Sequence, residues 1–195
     1  MRITDEKTIK VVEEALLELN SEIINNLKNF QINVQALTPK NENVIKTIPE
    51  KKELGFVGTP KEIAKEVLLN IIREKKVPII APMGIGDDGK IYNINADVVA
   101  GAIAKEINSR RLLLMTDVEG VLDKNNKLLL EINSEVTKEM LAKGTISGGM
   151  IPKIHTCIDA VENGVTGVVI VNGKKPHSIL FELFSDKGSG TLIRK

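Results

Sequence analysis

The sequence has little cysteine, few aromatic residues and no large surplus of either charge. Its single cysteine, Cys157, cannot form an internal disulfide, which favours a reducing, cytoplasmic compartment, and its apolar neighbours predict a packing role in a helix. Aromatic residues make up 3% of the 195 residues and leave little surface for stacking nucleic-acid bases. Lysine plus arginine number 27 against 26 acidic residues, so the charge balance also argues against a nucleic-acid partner.

Long apolar runs are missing as well. No stretch approaches the roughly 18 apolar residues of a membrane-spanning helix, and the first residues do not resemble a signal peptide, so no membrane partner is predicted. Hydrophobic residues nevertheless make up 42% of the chain, which is enough for one core of ordinary size. We therefore predict a single domain over residues 1–195.

Two segments carry clear helix signals. Between Asp5 and Asn29 apolar residues recur at steps of three and four, which predicts one buried stripe on a helix capped by Thr4 or Asp5. The stripe consists of Ile9, Val12, Leu16, Leu19, Ile23 and Leu27. Thr59-Pro60-Lys61-Glu62 is typical of a capping box with proline at the first helical position, so a second helix is predicted from there to about Glu74.

Three short apolar runs without alternation are typical of strands that are covered on both faces of a parallel sheet. They are Val77 to Ala81, Arg111 to Met115 and Val168 to Val171. Helical patterns from Ala96 to Ile107 and from Pro152 to Asn163 precede the second and third runs. The repeated order predicts an α/β fold with a mostly parallel open sheet and helices on both faces, in three α/β/α layers.

We expect three glycine-bearing segments to fall directly after strands, where open α/β sheets bind their ligands. They are Gly84-Ile85-Gly86, Thr116 to Gly120 and Ser147 to Met150. None has the spacing of the dinucleotide fingerprint or of the P-loop, so an anion site of another design is needed.

Two motifs at helix starts are candidates for that site. The pair Gly148 and Gly149 brings backbone N–H groups and Lys153 to one helix start, which favours a phosphate, although a solvated lysine is the plainer interpretation of Lys153 alone. Helix capping by itself explains Asn95 and Asp97. Asn93 precedes that cap and has no local structural reason to be an amide, which makes it a candidate ligand.

Three motifs in this order resemble those of the N-acetylglutamate kinases of the amino acid kinase superfamily: Tyr92 to Asp97, Leu114 to Leu122 and Gly148 to Lys153. The resemblance covers essentially the whole chain, from Arg2 to the segment His177 to Glu182. It implies the amino acid kinase fold, a homodimer, and transfer of the γ-phosphoryl group of ATP, bound with Mg²⁺, to the side-chain carboxylate of N-acetyl-L-glutamate in arginine biosynthesis.

The resemblance also assigns roles to single residues. Lys153 would stabilise the transferred phosphoryl group, and Asp97 would orient the catalytic lysines rather than remove a proton. The other positions form three sets: Arg2, Asn93 and Asn95 for the substrate; Thr116, Asp117, Gly148, Gly149 and Met150 for the nucleotide; and His177, Glu182 and Gly188 for an arginine effector. An ordinary amphipathic last helix with a glycine turn explains the third set equally well.

The sequence departs from the family pattern at its start. A complete member carries a lysine-glycine-glycine strand and a second glycine pair before the position of Arg2. We therefore expect this chain to correspond to the C-terminal two-thirds of such an enzyme, truncated at the N-terminus. Because such donors stabilise the transition state, we expect weak or absent activity of the chain alone. Two alternatives stay open: another amino acid kinase, such as one acting on an aminoadipate derivative, and a non-catalytic relative that keeps the ATP or arginine site.

Overall fold

The computed structural model describes residues 3–146, 148–186 and 188–195. The chain divides into two compact units, Met1–Ile103 (unit 1) and Ala104–Lys195 (unit 2). Helix α3, Ala96–Glu106, contains the boundary between them. The single-domain organisation over residues 1–195 stays a prediction.

Unit 1 contains two small sheets and two further helices. Its elements are α1 Glu6–Asn29, β1 Val34–Leu37, β2 Ile45–Pro49, β3 Gly58–Ile63, α2 Lys65–Arg73, β4 Val77–Ile80, β5 Met83–Gly86 and β6 Ile91–Asn93. β1 and β4 pair in parallel. The second sheet has the order β3-β2-β5-β6, in which β2 and β5 are parallel and the two outer pairings are antiparallel.

Helix α1 begins where the sequence predicts. The Asp5 side chain accepts a hydrogen bond from the backbone N–H of Thr8 at 2.7 Å, and this contact lowers the pKa of the Asp5 carboxyl. Thr4 instead forms a bridge to the turn after β2, with its N–H donating to Leu54 and its carbonyl accepting from Phe56. The cap at Asp5 is therefore confirmed.

The buried stripe of α1 is rotated relative to the predicted one. Leu19 and Ile23 are 50% and 38% exposed, whereas Asn20 and Ile24 are buried. The Asn20 Nδ2 group donates a hydrogen bond to the carbonyl of Ile79 in β4 at 2.9 Å. A pattern that counts only apolar residues misses this stripe, because a satisfied amide occupies one of its positions.

The predicted helix start at Thr59–Glu62 is wrong, because β3 occupies Gly58–Ile63 and α2 begins at Lys65. Pro60 is compatible with β3 because this strand lies at the edge of its sheet, where a missing N–H is tolerated. The pairing register also shifts between Lys46 and Thr47 of β2, opposite the proline. Pairing with β2 thus overrides a helix signal that is purely local.

Unit 2 contains a four-stranded sheet of order β7-β9-β10-β8. Its elements are β7 Arg111–Thr116, β8 Glu131–Asn133, α4 Ser134–Ala142, α5 Met150–Glu162, β9 Gly167–Asn172, α6 Ser178–Phe184 and β10 Thr191–Arg194. β7 pairs with β9 and β8 with β10 in parallel, whereas β9 and β10 are antiparallel. Helix α5 packs on β9 and β10, and Cys157 within it is fully buried, which confirms its packing role.

The predicted strands at 77–81, 111–115 and 168–171 are confirmed as β4, β7 and β9, and the helices at 96–107 and 152–163 as α3 and α5. Four of the seven strand pairings among the described strands are parallel, as the predicted α/β class requires. Across residues 3–146, 148–186 and 188–195, no helix combines the length and apolar character that crossing a membrane requires.

Helix α6 has an unusual distribution of buried side chains. Ser178 and Glu182 are buried, whereas Ile179, Leu180, Phe181, Leu183 and Phe184 are exposed. Polar contacts of the buried residues fix the helix: the Ser189 hydroxyl donates to the carbonyl of Ser178, and the Ser189 N–H donates to the Glu182 carboxylate. The polar side of α6 therefore faces the protein.

Candidate functional site

The substrate candidates of unit 1 lie at the junction between β6 and α3. The backbone N–H of Asn93 donates to the carbonyl of Phe56 at 2.9 Å, which positions this half-buried residue at the end of β6. The Asn95 Oδ1 atom accepts hydrogen bonds from the N–H groups of Asp97 at 2.9 Å and Val98 at 3.2 Å, so Asn95 caps α3. Asp97 is half-buried in the first helical turn. Arg2 lies outside the described residues.

Tyr92, in the same motif, anchors the turn between β5 and β6. Its hydroxyl donates a hydrogen bond to Asp88 at 3.0 Å, and its ring lies 5.9 Å from that of Phe56. Burial raises the pKa of Tyr92, and the hydrogen bond to Asp88 raises it further. Tyr92 therefore holds the hairpin in place next to Asn93.

The glycine segment at 84–86 is not a loop, which corrects the prediction made for it. Gly84 and Gly86 belong to β5. A Cβ atom on Gly84 would lie 2.0 Å from Thr47 Oγ1 and 2.5 Å from the carbonyl oxygen of Ile45, so glycine is needed for the close approach of β2. The segment therefore serves sheet packing.

The nucleotide candidates of unit 2 begin at the carboxyl ends of β7 and β9. Thr116 and Asn172 pair in the parallel register, and the N–H of Gly173 donates to the carbonyl of Thr116 at 2.7 Å. The loop that carries Asp117 and the loop after β9 therefore leave the sheet side by side. This is the edge at which α/β sheets bind ligands, as the sequence predicts for Thr116 to Gly120.

Sequence reasoning missed the loop after β9. The amide of Asn172 donates to Glu119 at 2.8 Å and accepts from the backbone N–H of Lys174 at 2.9 Å. The ammonium groups of Lys174 and Lys175 face the carboxylates of Asp117 and Glu119, respectively. An Asn-Gly-Lys-Lys sequence directly after a predicted parallel strand was the available signal.

The glycine pair lies at the start of α5. Gly148 has φ +58°, and a Cβ atom on either Gly148 or Gly149 would meet nothing within 4 Å. The segment follows helix α4 rather than a strand, which corrects the expectation for it. However, α5 packs on β9 and joins it through a short turn, so the two run antiparallel and α5 begins toward the carboxyl end of β9. Met150 opens the helix, and Lys153 is half-buried in its first turn.

Two of the three effector candidates lie together at a cavity of about 730 Å³ in unit 2. The Glu182 side chain is 6% exposed and accepts a hydrogen bond from Arg111 Nη1 at 3.2 Å. Gly188 has φ +65°, and a Cβ atom there would lie 2.7 Å from Glu182 Oε2. His177 precedes α6 with φ +59° and lines a different groove, beside Phe181. The structure therefore brings together Glu182 and Gly188 at the first cavity.

Comparison with known proteins identifies the fold and the family. The smu.665 protein of Streptococcus mutans UA159 superposes with a TM-score of 0.84 at 31% sequence identity, covering 100% of this chain and 74% of that one. The sequence model of the amino acid kinase family matches residues 2–172. The chain belongs to the amino acid kinase family, which confirms the predicted fold and resemblance.

Curated relatives are more specific. The acetylglutamate kinase of Pelagibacter ubique (strain HTCC1062) is 52% identical over 195 residues, which are 100% of this chain and 68% of that protein. The acetylglutamate kinase of Methylobacterium nodulans is 43% identical over 209 aligned positions, covering 100% of this chain and 69% of that one. The chain thus spans about 70% of the length of relatives that are named acetylglutamate kinases.

Proposed function

We propose that the chain phosphorylates the side-chain carboxylate of N-acetyl-L-glutamate with ATP, giving N-acetyl-L-glutamyl 5-phosphate in arginine biosynthesis. The observation that carries the proposal is the 52% identity over the whole chain to the Pelagibacter acetylglutamate kinase. The family match over residues 2–172 supports nucleotide use in the same way.

The reaction requires that the acceptor carboxylate and the γ-phosphoryl group be aligned and that their negative charge be neutralised; it does not require a general base. The attacking carboxylate is already ionised, so catalysis depends on bringing two anions together in line. Lys153, in the first turn of α5, supplies a cation for the transferred phosphoryl group, and the open backbone at Gly148 and Gly149 supplies N–H donors. Asp97 keeps the role that the resemblance assigns to it, which is to orient the catalytic lysines.

Substrate recognition is assigned to unit 1 and nucleotide recognition to unit 2. Asn93, Asn95 and Arg2 bind the amino-acid end of N-acetyl-L-glutamate, and Asn93 does so with its side-chain amide because its backbone N–H is used by Phe56. Thr116 and Asp117 contact the nucleotide from the carboxyl end of β7, and Met150 does so from the start of α5.

Magnesium enters this proposal with the nucleotide. Within the described ranges, no group of three or more His, Cys, Asp or Glu side chains is arranged to hold a metal ion. Mg²⁺ favours phosphate oxygens and water over all-protein cages, so it is expected to bridge the phosphates of ATP.

An arginine effector is proposed for the cavity beside Glu182. Carboxylates of Glu131, Glu182 and Asp186 line this cavity together with Arg110 and Arg111, so the lining offers partners for both the guanidinium group and the carboxylate of arginine. A homodimer and a cytoplasmic location complete the proposal. The homodimer is carried over from the family resemblance.

A substrate panel tests the activity. The purified chain, alone and joined to the part of the Pelagibacter enzyme outside the match, is mixed with ATP and Mg²⁺, and ADP release is followed. We expect N-acetyl-L-glutamate to be preferred over aspartate, carbamate and N-acetylaminoadipate, with slower turnover by the chain alone. A preference for another acceptor would reassign the enzyme within its family.

Calorimetry with ATP and with arginine separates the non-catalytic alternative. If ATP or arginine binds but neither the chain alone nor the joined protein turns over, a binding function would replace the kinase proposal. Turnover in the joined form alone would support the kinase proposal together with the predicted weak activity of these 195 residues.

A further inference from the structure

The loops that follow β7 and β9 carry four opposed charges at one edge of the unit 2 sheet. Lys174 Nζ lies 3.9 Å from Asp117 Oδ2, and Lys175 Nζ lies 4.0 Å from Glu119 Oε2. Both distances exceed the range of about 2.7–3.2 Å for a hydrogen bond. Each pair is therefore linked by charge attraction and can rearrange when another charge arrives.

The backbone and one amide set this arrangement. Gly173 donates to the carbonyl of Thr116, which joins the two loops at their first residues. Asn172 then binds both loops with its side chain, donating to Glu119 at 2.8 Å and accepting from the N–H of Lys174 at 2.9 Å. The two loops are thus held side by side by contacts in which neither lysine ammonium group takes part, and one of these contacts fixes the Glu119 carboxylate.

The two lysines of this cluster also border a concave surface. Lys174 and Lys175 line a cavity of about 270 Å³ together with Met115 of β7 and Ile179 and Leu180 of α6. Its position after the carboxyl ends of parallel strands is the usual place for a ligand in an α/β fold.

Two carboxylates at this position are a problem for a nucleotide that carries several negative charges. Like charges that approach each other repel, and the repulsion is stronger at a protein surface than in bulk water because the effective dielectric constant is lower there. Lys174 and Lys175 cancel the charges of Asp117 and Glu119 one for one. The four side chains are 77%, 52%, 70% and 51% exposed, so solvent moderates each effect.

We propose that Lys174 and Lys175 are the counterions that allow a nucleoside polyphosphate to approach Asp117 and Glu119. They are positioning residues: they keep two carboxylates near the nucleotide without repelling its phosphates. The inference rests on the proposed nucleotide site at Asp117 and adds the charge that this site needs.

Calorimetry of four ligands tests this role. ATP, ADP, AMP and adenosine are titrated into the wild-type chain and into the Lys174→Ala/Lys175→Ala variant at low salt. We expect the variant to bind ATP about tenfold more weakly than the wild type. The affinity should fall less for ADP and AMP and stay unchanged for adenosine, because the repulsion grows with ligand charge. Added salt should reduce the loss for ATP.

Two further variants make the test specific. Lys143→Ala, which removes an equally exposed lysine paired with Glu139 on α4, should leave all four affinities unchanged. Adding Asp117→Asn and Glu119→Gln to the double lysine variant should restore ATP affinity, since both substitutions keep an oxygen acceptor and remove the charge. If Asp117→Asn/Glu119→Gln with both lysines kept binds ATP as the wild type does, unrestored binding in the quadruple variant would show that the lysines contact phosphate directly and would overturn the counterion role.

The outcomes separate the two proposals. A wild-type chain that binds none of the four ligands would remove the proposed nucleotide site, and the counterion role with it. Wild-type binding with equal losses for all four ligands in the lysine variant, or with no loss for ATP, would remove the counterion role alone.

Discussion

The two units present their candidate residues in different ways. In unit 1, Asn93 and Asn95 lie at one junction between β6 and α3, after a strand whose pairing with β5 is antiparallel. In unit 2, the parallel strands β7 and β9 end in register, so loops more than fifty residues apart in sequence meet at one edge. A parallel pair therefore brings together candidate residues that are distant in sequence, whereas in unit 1 Asn95 also has a local structural role as the cap of α3.

The largest effect is expected in unit 2, for Lys153→Ala. Removing a cation that stabilises the transferred phosphoryl group should lower kcat about 10² to 10³-fold with less change in ATP affinity. The measurement is ADP release by the chain alone or by the chain joined to the Pelagibacter segment, whichever turns over faster. The control is Lys138→Ala, which removes an exposed lysine of α4 that pairs with Glu162 of α5 and should leave kcat unchanged. An unchanged kcat would remove Lys153 from the catalytic set.

In unit 1 we expect close packing between β5 and β2 to contribute to the free energy of unfolding, and Gly84→Ala tests this contribution. The new Cβ atom would lie 2.5 Å from the carbonyl oxygen of Ile45, so a loss of about 1 to 3 kcal/mol in the free energy of unfolding is expected. Urea unfolding compares it with Gly149→Ala, where φ is −65° and no atom lies within 4 Å of the new Cβ. Equal losses in both would mean that β2 yields to the methyl group.

Asn95→Asp separates the two roles of one residue in unit 1. Aspartate caps a helix as well as asparagine does, so the melting temperature should change little. The added charge would repel an anionic substrate, and we expect the KM for N-acetyl-L-glutamate to rise about tenfold. Asn133→Asp, at the cap of α4, is the matched control and should leave KM unchanged. An unaltered KM in Asn95→Asp would reduce Asn95 to a cap.

The smallest effect concerns pH and the turn that supports Asn93. The backbone N–H of Lys90 lowers the pKa of Asp88 in the folded state. Stability from Asp88 is therefore present above its unfolded pKa of about 4 and is lost as the pH falls through the lower folded pKa. Asp88→Asn should flatten the acid side of the stability curve slightly, as measured by thermal melts. A curve identical to that of the wild type would contradict this.

Elements with a strong local pattern were predictable from the sequence. Strands β4, β7 and β9 were visible as short apolar runs, and α1, α3 and α5 from periodicity and caps. β3 was not, because its assignment depends on pairing with β2, which no local signal contains. The wrong stripe on α1 has a similar origin, since Asn20 is buried only because Ile79 accepts its hydrogen bond.

The candidate site shows the same division. The resemblance supplied Lys153, Asp117 and the glycine pair; in the structure Lys153 lies in the first turn of α5, the glycine pair directly precedes that helix and Asp117 directly follows β7. The partners of Asp117 and Glu119 could not be predicted, because Lys174 and Lys175 lie more than fifty residues away and meet them only through the register of β7 and β9.

The contact between Gly188 and Glu182 limits how this chain can evolve. Any other residue at 188 would need an unfavourable backbone angle and would place its first side-chain carbon 2.7 Å from the buried carboxylate. A lineage that replaces Gly188 must therefore accept backbone strain and move the end of the Glu182 side chain away from Arg111 and the Ser189 N–H, which hold it. The replacement stays costly for as long as Glu182 keeps these partners.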